Sequence, residues 1–494
     1  MVVKIQITKN IKMRFIIKTF FELTIVFFLF SCSKSENGSV QNQPNVVFVI
    51  ADQWRAQATA YTGNQNVKTP NIDKLASESV DFSNAISSTP VCAPTRASLL
   101  TGQYPLTHGV FYNDKPLKNE ATTMAEVYKQ NGYVTGYIGK WHLNGHENHE
   151  NTWDKRLQPI TKDRRQGFDF WKANECTHDY NGSSYFDEND KEQTWKGYDA
   201  RVQKDSAIAF ITKNSENPFF LMLSWGPPHN PYLTAPEKYT QMYDSSKIIL
   251  RPNVPDSLAE KARKQLAGYY AHCTALDHYL GEIQKAIKDA GLAENTILVF
   301  TSDHGDMLQS QGQFAKQKPW DESIKVPFLL KYPAQINNSQ KIETPFVTAD
   351  IMPTILGLSN LEIPTTAEGN DFSAHLLNNE PINIKAGLIL CPVPFHEWSR
   401  IRGGKEYRGV RTERYTYVKD LNGPWLLYDN KDDPYQQTNL VNNDTYLSIQ
   451  KKLEKELQLL LAKTNDDFKP ADFYMKKWNY TYDALDTIVF KKRS

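Results

Sequence analysis

The sequence has few cysteines, almost no net charge and no long uninterrupted apolar run. Five cysteines in 494 residues are too few for a disulfide-stabilised scaffold. Lys and Arg number 57 against 56 Asp and Glu, so the formal charge of +1 gives no general attraction for a polyanion and argues against nucleic-acid binding. Because 40% of the residues are hydrophobic and 23% charged, disordered and fibrous classes are also excluded.

Residues 1–32 have the composition of an export signal. Basic residues precede an apolar run from Leu23 to Phe30, which is too short to cross a bilayer. The sequence Leu29-Phe30-Ser31-Cys32 is similar to a bacterial lipobox, in which Cys32 is acylated after cleavage; an ordinary cleaved signal is the alternative. We expect an exported lipoprotein of the periplasm or outer membrane, with the cell surface left open, that contacts the membrane only through its lipid. Residues 33–44 read as a polar tether.

Polar residues follow each of four apolar segments that are typical of buried β-strands. The segments are residues 45–51, 133–138, 219–225 and 296–301. Helical patterns lie between them, which predicts an α/β fold over residues 45–384 with a large, mostly parallel sheet flanked by helices. Ligands of such sheets bind beyond the carboxyl ends of the strands, so we expect the four polar clusters to converge on one site.

The sequence pattern changes near residue 385. Short alternating segments, separated by Asn-Gly and Asp-Pro turns, predict a small antiparallel sheet. An amphipathic helix is predicted over residues 446–464, with Leu453, Leu457, Leu460 and Leu461 on one face. We therefore predict a smaller C-terminal antiparallel α+β subdomain over residues 385–494.

A candidate cation site lies at two of the strand ends. Asp52 ends the first apolar segment, and Asp303-His304 follow the fourth. Two carboxylates and an imidazole suit a divalent cation, although an aspartate at a strand end is also a common helix cap. These residues alone leave both interpretations open.

The segment Cys92-Ala93-Pro94-Thr95-Arg96, with Thr101-Gly102 shortly after it, resembles the signature of the type I sulfatases. Other segments are similar to that family as well, namely residues 45–55, 69–75, 132–143, 303–306, 322–327 and 411–429. The resemblance extends from residue 45 to about residue 442. It implies an alkaline-phosphatase-like fold and sulfuric ester hydrolase activity.

The resemblance also implies a modified nucleophile and a metal. In this family an exported cysteine, here Cys92, is oxidised to formylglycine (3-oxoalanine) by a formylglycine-generating or anaerobic sulfatase-maturating enzyme. The hydrated aldehyde would attack sulfur. One calcium ion per chain would be held by residue 92, Asp52, Asp303 and His304. Gln53 stands where many members have a second aspartate, so whether its amide oxygen ligates the metal is left open.

Three further residues take catalytic roles from the same resemblance. Arg96 would fix the hydrated aldehyde with its rigid, permanently charged guanidinium. His142 would remove the proton that releases sulfate, and His229 would protonate the leaving alcohol, a task suited to an imidazolium near neutral pH.

Two lysines are implied as sulfate ligands. Lys140 and His142 flank Trp141, so an extended backbone would place both on one face of the chain. Lys316 has the family's spacing for the second sulfate lysine, and Lys318 competes for that role. Positive groups that balance the charge developing on the sulfuryl oxygens usually make a large catalytic contribution.

An exported enzyme meets polymers first, so we expect a sulfated polysaccharide or oligosaccharide, such as algal ulvan or a glycosaminoglycan fragment. Candidate residues for substrate selection are His178, His396, Glu397, Trp398, Arg400 and Arg402. The C-terminal subdomain of the family approaches the mouth of the site, and the arginines would pair with acidic groups of the sugar. The sugar, the sulfated carbon, exo or endo action and the oligomeric state do not follow from the sequence.

Two alternative functions stay open. Related enzymes of the same superfamily hydrolyse phosphonate monoesters or phosphodiesters with the same nucleophile, and some share the Asp52-Gln53 opening. A non-catalytic lipoprotein that binds sulfated glycan is the second alternative, if Cys92 is never oxidised.

Overall fold

The computed structural model describes residues 43–145 and 158–480. Its strands are β1 (Asn45–Asp52), β2 (Val80–Phe82), β3 (Ala85–Ile86), β4 (Val134–Lys140), β5 (Phe170–Asn174), β6 (Ser184–Asp187), β7 (Glu192–Thr194), β8 (Phe219–Pro228), β9 (Thr296–Ser302), β10 (Phe328–Lys331), β11 (Gln340–Ile342), β12 (Phe346–Val347), β13 (Gly387–Cys391), β14 (Tyr407–Arg411), β15 (Tyr415–Asp420) and β16 (Gly423–Asp429). Its α-helices are α1 (Pro70–Ser77), α2 (Cys92–Thr101), α3 (Pro105–His108), α4 (Met124–Gln130), α5 (Asp199–Lys213), α6 (Glu237–Thr240), α7 (Ala259–Asp289), α8 (Asp321–Ile324), α9 (Ile351–Leu358), α10 (Ser373–Asn378), α11 (Leu447–Lys463) and α12 (Ala471–Lys477).

A mixed ten-stranded sheet carries the candidate site. Its strand order is β11-β2-β10-β9-β1-β8-β4-β5-β6-β7. The central strands β9, β1, β8, β4 and β5 are mutually parallel, whereas β10, β6 and β7 pair antiparallel with their neighbours. Every residue of β1 is buried, which explains its continuous apolar sequence. The predicted large, mostly parallel sheet is confirmed.

Helices cover both faces of this sheet. Side chains of β1 alternate between two cores: Val46 and Phe48 pack in one, and Val47 and Val49 pack in the other. The first core includes residues of α2, α4 and α9, and the second includes residues of α5 and α7. Because both faces are covered, the edge formed by the carboxyl ends of the strands is where polar groups can gather.

A second, four-stranded antiparallel sheet has the order β13-β14-β15-β16. Helix α11 packs on it through the buried Leu453, Leu457 and Leu461, whereas Leu460, predicted on the same face, is only partly buried. The expected small C-terminal antiparallel sheet is therefore confirmed. The division of the chain at residue 384 stays a prediction.

The predicted signal, Cys32 and the tether up to residue 42 lie outside the described residues. Within residues 43–145 and 158–480, no helix combines the length and apolar character that crossing a membrane requires. The cysteines of that part of the chain, which are Cys92, Cys176, Cys273 and Cys391, are buried free thiols.

Candidate active site

The ends of four neighbouring parallel strands meet at the candidate site. Asp52 is the last residue of β1 and Lys140 the last of β4, while Asp303 follows β9 and His229 follows β8. All four side chains are buried, with at most 4% of any residue exposed. Because β9, β1, β8 and β4 are adjacent in the sheet, residues far apart in the sequence are brought together.

A cluster of possible metal ligands forms the centre of the site. One donor atom each from Asp52, Cys92, Asp303 and His304 lies within 4.8 Å of the others. The Cys92 Sγ atom is 3.2 Å from His304 Nε2 and 3.6 Å from Asp52 Oδ1. His304 Nδ1 donates to the Gly305 carbonyl oxygen at 2.9 Å, which leaves Nε2 directed at the cluster.

The donor atoms fit a hard cation once the sulfur is replaced by oxygen. With a thiol, the cluster is a mixed sulfur, nitrogen and oxygen set of the kind that softer metals prefer. A formylglycine at residue 92 would present oxygen instead, and two carboxylates plus oxygen suit calcium. Although burial lowers the pKa of His304, the nearby Asp303 carboxylate raises it overall. A bound cation would reverse this, because a ligating imidazole must be neutral.

Gln53 extends the cluster on one side. Its backbone has a left-handed φ of 68°. Its amide nitrogen Nε2 donates to Asp306 Oδ2 at 2.6 Å, and its oxygen Oε1 accepts from Lys316 Nζ at 3.2 Å. The amide oxygen therefore points to the lysine that also contacts Cys92.

Arg96 connects the cluster to the sheet. Its Nε and Nη2 atoms donate to Asp303 Oδ2 at 3.1 and 2.9 Å, and Nη1 donates to the Lys140 carbonyl oxygen at 3.0 Å and to Ser224 Oγ at 2.6 Å. Cys92 is the first residue of α2, and Arg96 lies one turn later. The amino terminus of this ten-residue helix favours negative charge at residue 92.

Lys140 holds Asp52 in its ionised form. The Lys140 Nζ atom is 2.5 Å from Asp52 Oδ2. Burial raises the pKa of Asp52, but the positive charges of Lys140 and Arg96 outweigh this and hold that pKa well below its usual range. Asp52 is thus a carboxylate at any pH near neutrality, as a metal ligand must be.

The structure separates the two candidate sulfate lysines. Lys316 Nζ is 3.2 Å from Cys92 Sγ and 2.8 Å from His229 Nε2. Lys318 Nζ instead donates to the carbonyl oxygens of Phe314, at 2.7 Å, and Glu397, at 3.2 Å. Lys316 therefore lies at the candidate nucleophile, whereas Lys318 holds two backbone segments together.

The backbone fixes one ring nitrogen of His229, and the other ring nitrogen faces Lys316. Its Nδ1 atom donates to the Asn230 carbonyl oxygen at 2.9 Å, so Nε2 is the atom that faces Lys316. Burial and the positive charge of Lys316 lower the pKa of His229 well below its ordinary value. Lys316 Nζ is therefore the donor of this hydrogen bond and His229 Nε2 its acceptor.

His142 has a backbone conformation that the sequence did not predict. Its Nε2 atom is 3.1 Å from Asp114 Oδ1, and its backbone N–H donates to the Glu175 carbonyl oxygen at 2.7 Å. The expectation of an extended backbone from Lys140 through His142 is wrong, because β4 has ended and His142 has a φ of 59°. This left-handed turn points the imidazole at Asp114.

One of the predicted selectivity residues contacts the catalytic set. The ring of His178 stacks on His229, with centroids 4.5 Å apart and planes 18° apart. A second predicted selectivity residue, Glu397, lies close to Lys316. Burial raises the pKa of Glu397, but the charge of Lys316 lowers that pKa overall.

Four predicted selectivity residues remain. Trp398 is buried, whereas the other three are exposed and make contacts away from Cys92. His396 packs edge-on against Phe395 at 5.1 Å between centroids, and Arg400 forms an ion pair with Glu406 at 2.8 Å. The Arg402 guanidinium lies 5.8 Å from the ring centre of Phe314. Their role in substrate choice stays a prediction.

Sequence reasoning missed polar side chains that support the predicted residues directly or through one another. Among them are Asp114, Ser224, Tyr232, Tyr269 and Asp306. Asp306 lies within the Asp303–Asp306 segment that matches the sulfatases, so a local signal for it existed. Asp114, Ser224 and Tyr232 reach the site only through the fold, and no spacing in the sequence marks them.

The chain is similar to known sulfatases in sequence and in fold. The sulfatase family model matches residues 44–361, and a model described as N-sulphoglucosamine sulphohydrolase, C-terminal, matches residues 310–463. An ulvan-active sulfatase of Formosa agariphila is 43% identical over 474 residues, which cover 93% of this chain and 90% of that protein.

Solved structures show the same fold. A Bacteroides thetaiotaomicron structure from work on the metabolism of multiple glycosaminoglycans has a TM-score of 0.78 at 28% identity, and the match covers 88% of this chain and 99% of that one. A phosphonate monoester hydrolase of Agrobacterium radiobacter has a TM-score of 0.70 at 23% identity, covering 85% and 96% of the two chains. Because this identity is low, the similarity to the phosphonate monoester hydrolase is evidence for the fold alone.

Proposed function

The chain belongs to the sulfatase family, and we propose from this premise that it removes sulfate from sulfated polysaccharides or oligosaccharides through a formylglycine at residue 92 and one calcium ion. The observation that carries the proposal is the buried cluster of Asp52, Cys92, Asp303 and His304. Lys140 and Lys316 contact two of its members. Such a cluster supplies both an activated nucleophile and positive charge for a sulfate group.

The cation has a defined place in this proposal. Asp52, Asp303, His304 and residue 92 would hold calcium, with Gln53 Oε1 as a further oxygen. Calcium, when bound, would lower the pKa of the hydroxyl of hydrated formylglycine and polarise the sulfate group. Arg96 fixes this arrangement, because one guanidinium holds Asp303, the Lys140 carbonyl and Ser224 together.

The remaining residues handle the sulfate group and protons. Lys140 Nζ and Lys316 Nζ would bind sulfate oxygens and stabilise the charge that develops on them. His229 Nε2 would protonate the leaving alcohol once the substrate anion offsets the charge of Lys316. His142, oriented by Asp114 at 3.1 Å, would accept the proton whose removal releases sulfate.

Sulfated glycans are the substrate class that the relatives support. The 43%-identical relative is active on ulvan, and the Bacteroides thetaiotaomicron structure is connected with glycosaminoglycans. His178 stacks on the proposed acid His229 and would meet the leaving sugar. Arg400, Arg402 and His396 would contact parts of the chain farther from the reacting sulfate.

The N-terminal predictions complete the proposal. An exported lipoprotein anchored through Cys32 would meet sulfated polymers outside the cytoplasm, in the periplasm or at the outer membrane. A formylglycine-generating or anaerobic sulfatase-maturating enzyme would be its partner before folding is complete, because Cys92 is only 1% exposed in the folded chain.

Mass spectrometry of the tryptic peptide Leu75–Arg96 tests the nucleophile. This peptide contains Cys92 and no internal Lys or Arg. Protein isolated from its native cells should carry formylglycine at residue 92, and a peptide with only unmodified cysteine would remove the nucleophile from the proposal.

A substrate panel tests the reaction. Purified protein should release sulfate from sulfated oligosaccharides of ulvan or glycosaminoglycan faster than it hydrolyses phosphonate monoesters or phosphodiesters. The opposite order would favour the phosphonate alternative, which the neutral Gln53 keeps open. Glycan binding without any sulfate release, equal in wild type and Cys92→Ala, would favour the binding lipoprotein.

A further inference from the structure

Gln53 is held by hydrogen bonds on every side. Its backbone N–H donates to Asp303 Oδ1 at 3.0 Å, and its carbonyl oxygen accepts from the Tyr269 hydroxyl at 2.7 Å. Its side-chain Nε2 donates to Asp306 Oδ2 at 2.6 Å, while Oε1 accepts from Lys316 Nζ at 3.2 Å. Both Gln53 and Asp306 are 0% exposed, so water does not compete for these bonds.

The direction of the amide follows from its two neighbours. A carboxylate such as Asp306 only accepts hydrogen bonds, so it requires the NH₂ end of the glutamine. The ammonium of Lys316 only donates, so it requires the oxygen end. A flipped amide would face a donor with a donor and an acceptor with an acceptor, and burial makes both mismatches costly.

Asp306 is itself fixed by other donors. The Tyr232 hydroxyl donates to Oδ2 at 2.6 Å, and the Leu308 N–H donates to Oδ1 at 3.1 Å. Both carboxylate oxygens are therefore engaged as acceptors.

We propose that Asp306 is a positioning residue that directs the Gln53 amide oxygen into the cation site, so that Gln53 and Asp306 together replace a second ligating aspartate. This inference rests on the proposed cation. The amide provides the ligand oxygen, and the negative charge that the amide lacks is supplied by Asp306 one hydrogen bond away. Partners behind a metal ligand typically change metal affinity by about 10- to 100-fold when they are removed.

A swap of the two side chains tests the idea. The variants are Asp306→Asn, Gln53→Glu and the double variant, and the measurement is calcium affinity by titration calorimetry on chelator-treated full-length protein. We expect Asp306→Asn to weaken calcium binding by about tenfold or more. Gln53→Glu should bind calcium no more tightly than wild type at neutral pH, because the new carboxylate faces Asp306 at hydrogen-bond distance. Adding Asp306→Asn to Gln53→Glu should then tighten binding, because the introduced asparagine amide can donate to the introduced glutamate.

The double-mutant cycle separates positioning from simple charge attraction. If only charge matters, Gln53→Glu binds calcium more tightly than wild type, and adding Asp306→Asn weakens it again. Positioning predicts the opposite sign for the second step. Thermal unfolding of the metal-free variants provides a second readout, since the facing carboxylates of Gln53→Glu should lower the Tm and Asp306→Asn should restore it.

Tyr232→Phe is the matched control. It removes one donor from Asp306 Oδ2 and leaves the acceptor of Gln53 intact, so calcium affinity should stay within about twofold of wild type, well under the loss expected behind a ligand. Wild-type protein that binds no calcium would refute the proposed cation itself. Wild-type binding with equal affinity in Asp306→Asn, or a double variant that binds more weakly than Gln53→Glu, would refute the positioning role alone.

Discussion

Replacing Lys316 by methionine is the sharpest test of how the site handles sulfate. Lys316 Nζ makes three contacts with buried groups: Cys92 Sγ at 3.2 Å, His229 Nε2 at 2.8 Å and Gln53 Oε1 at 3.2 Å. Methionine keeps most of the side-chain volume and removes the charge. Loss of a donor aimed at developing negative charge costs about 10²- to 10³-fold in kcat, equivalent to about 3–4 kcal/mol.

Lys318→Met is the matched control for this change. Lys318 is as buried as Lys316 but donates only to two backbone carbonyl oxygens. Its loss should lower the free energy of unfolding by about 1–3 kcal/mol for each carbonyl left unsatisfied, and leave kcat of the folded enzyme near wild type. Steady-state sulfate release from a sulfated oligosaccharide and urea unfolding measure the two effects.

The Lys316→Met variant should also change the pH profile. Burial and the charge of Lys316 lower the pKa of His229, so removing the charge should raise that pKa. An acid works only while protonated, and activity is lost as pH rises through its pKa. The alkaline limb of kcat/KM should therefore move to higher pH. Equal kcat losses in Lys316→Met and Lys318→Met, with both proteins folded, would refute the placement of Lys316 at the sulfate.

Three further predictions concern metal, acid and stability. Chelation should abolish sulfate release, and adding calcium should restore it while adding magnesium should not, because the cluster offers a set of oxygens that suits calcium. Activity that survives a strong chelator would refute the proposed metal site. His229→Asn should reduce turnover of sugar sulfates far more than of activated aryl sulfates, whose leaving groups need no proton, and equal losses would remove the acid role. Arg408→Met should lower the free energy of unfolding by about 3–5 kcal/mol at pH 7, because Arg408 is 0% exposed and pairs with Asp466. Arg201 pairs with Asp205 at a half-exposed position, so the control variant Arg201→Met should lower the free energy of unfolding by less than about 1 kcal/mol. Burial raises the pKa of Asp466, but the charge of Arg408 lowers that pKa overall. The stability that this ion pair contributes is therefore present above about pH 4 and is lost as the pH falls further. Urea unfolding of Arg408→Met should not show this loss.

The fold was largely predictable because its central strands are strongly marked. Continuous apolar sequences predicted the correct first residues of β1, β8 and β9, which are Asn45, Phe219 and Thr296. The order β9-β1-β8-β4 was not predictable, because it depends on pairing between segments far apart in the chain, such as Val46 with both Phe220 and Ile297. A buried strand is visible in the sequence, but its neighbours in the sheet are not.

The candidate site shows the same division. Residue types and the resemblance to sulfatases predicted most of the side chains that the structure brings together around Cys92. Their supporting partners were missed, because Asp114, Ser224 and Tyr232 contact the site through the fold and stand in no recognisable spacing. Likewise, the choice between Lys316 and Lys318 needed the structure, since one side chain points to Cys92 and the other to backbone carbonyls.

Charge explains why a neutral residue suits position 53. Asp52 is already engaged by Lys140 Nζ at 2.5 Å. Gln53 Oε1 lies 3.2 Å from Lys316 Nζ, so a carboxylate there would bind the second lysine in the same way. Both proposed sulfate ligands would then be neutralised before substrate arrives, and the substrate would have to compete with two buried ion pairs. The amide avoids this, because it would offer the proposed cation an oxygen while the charge of Lys316 remains available for sulfate.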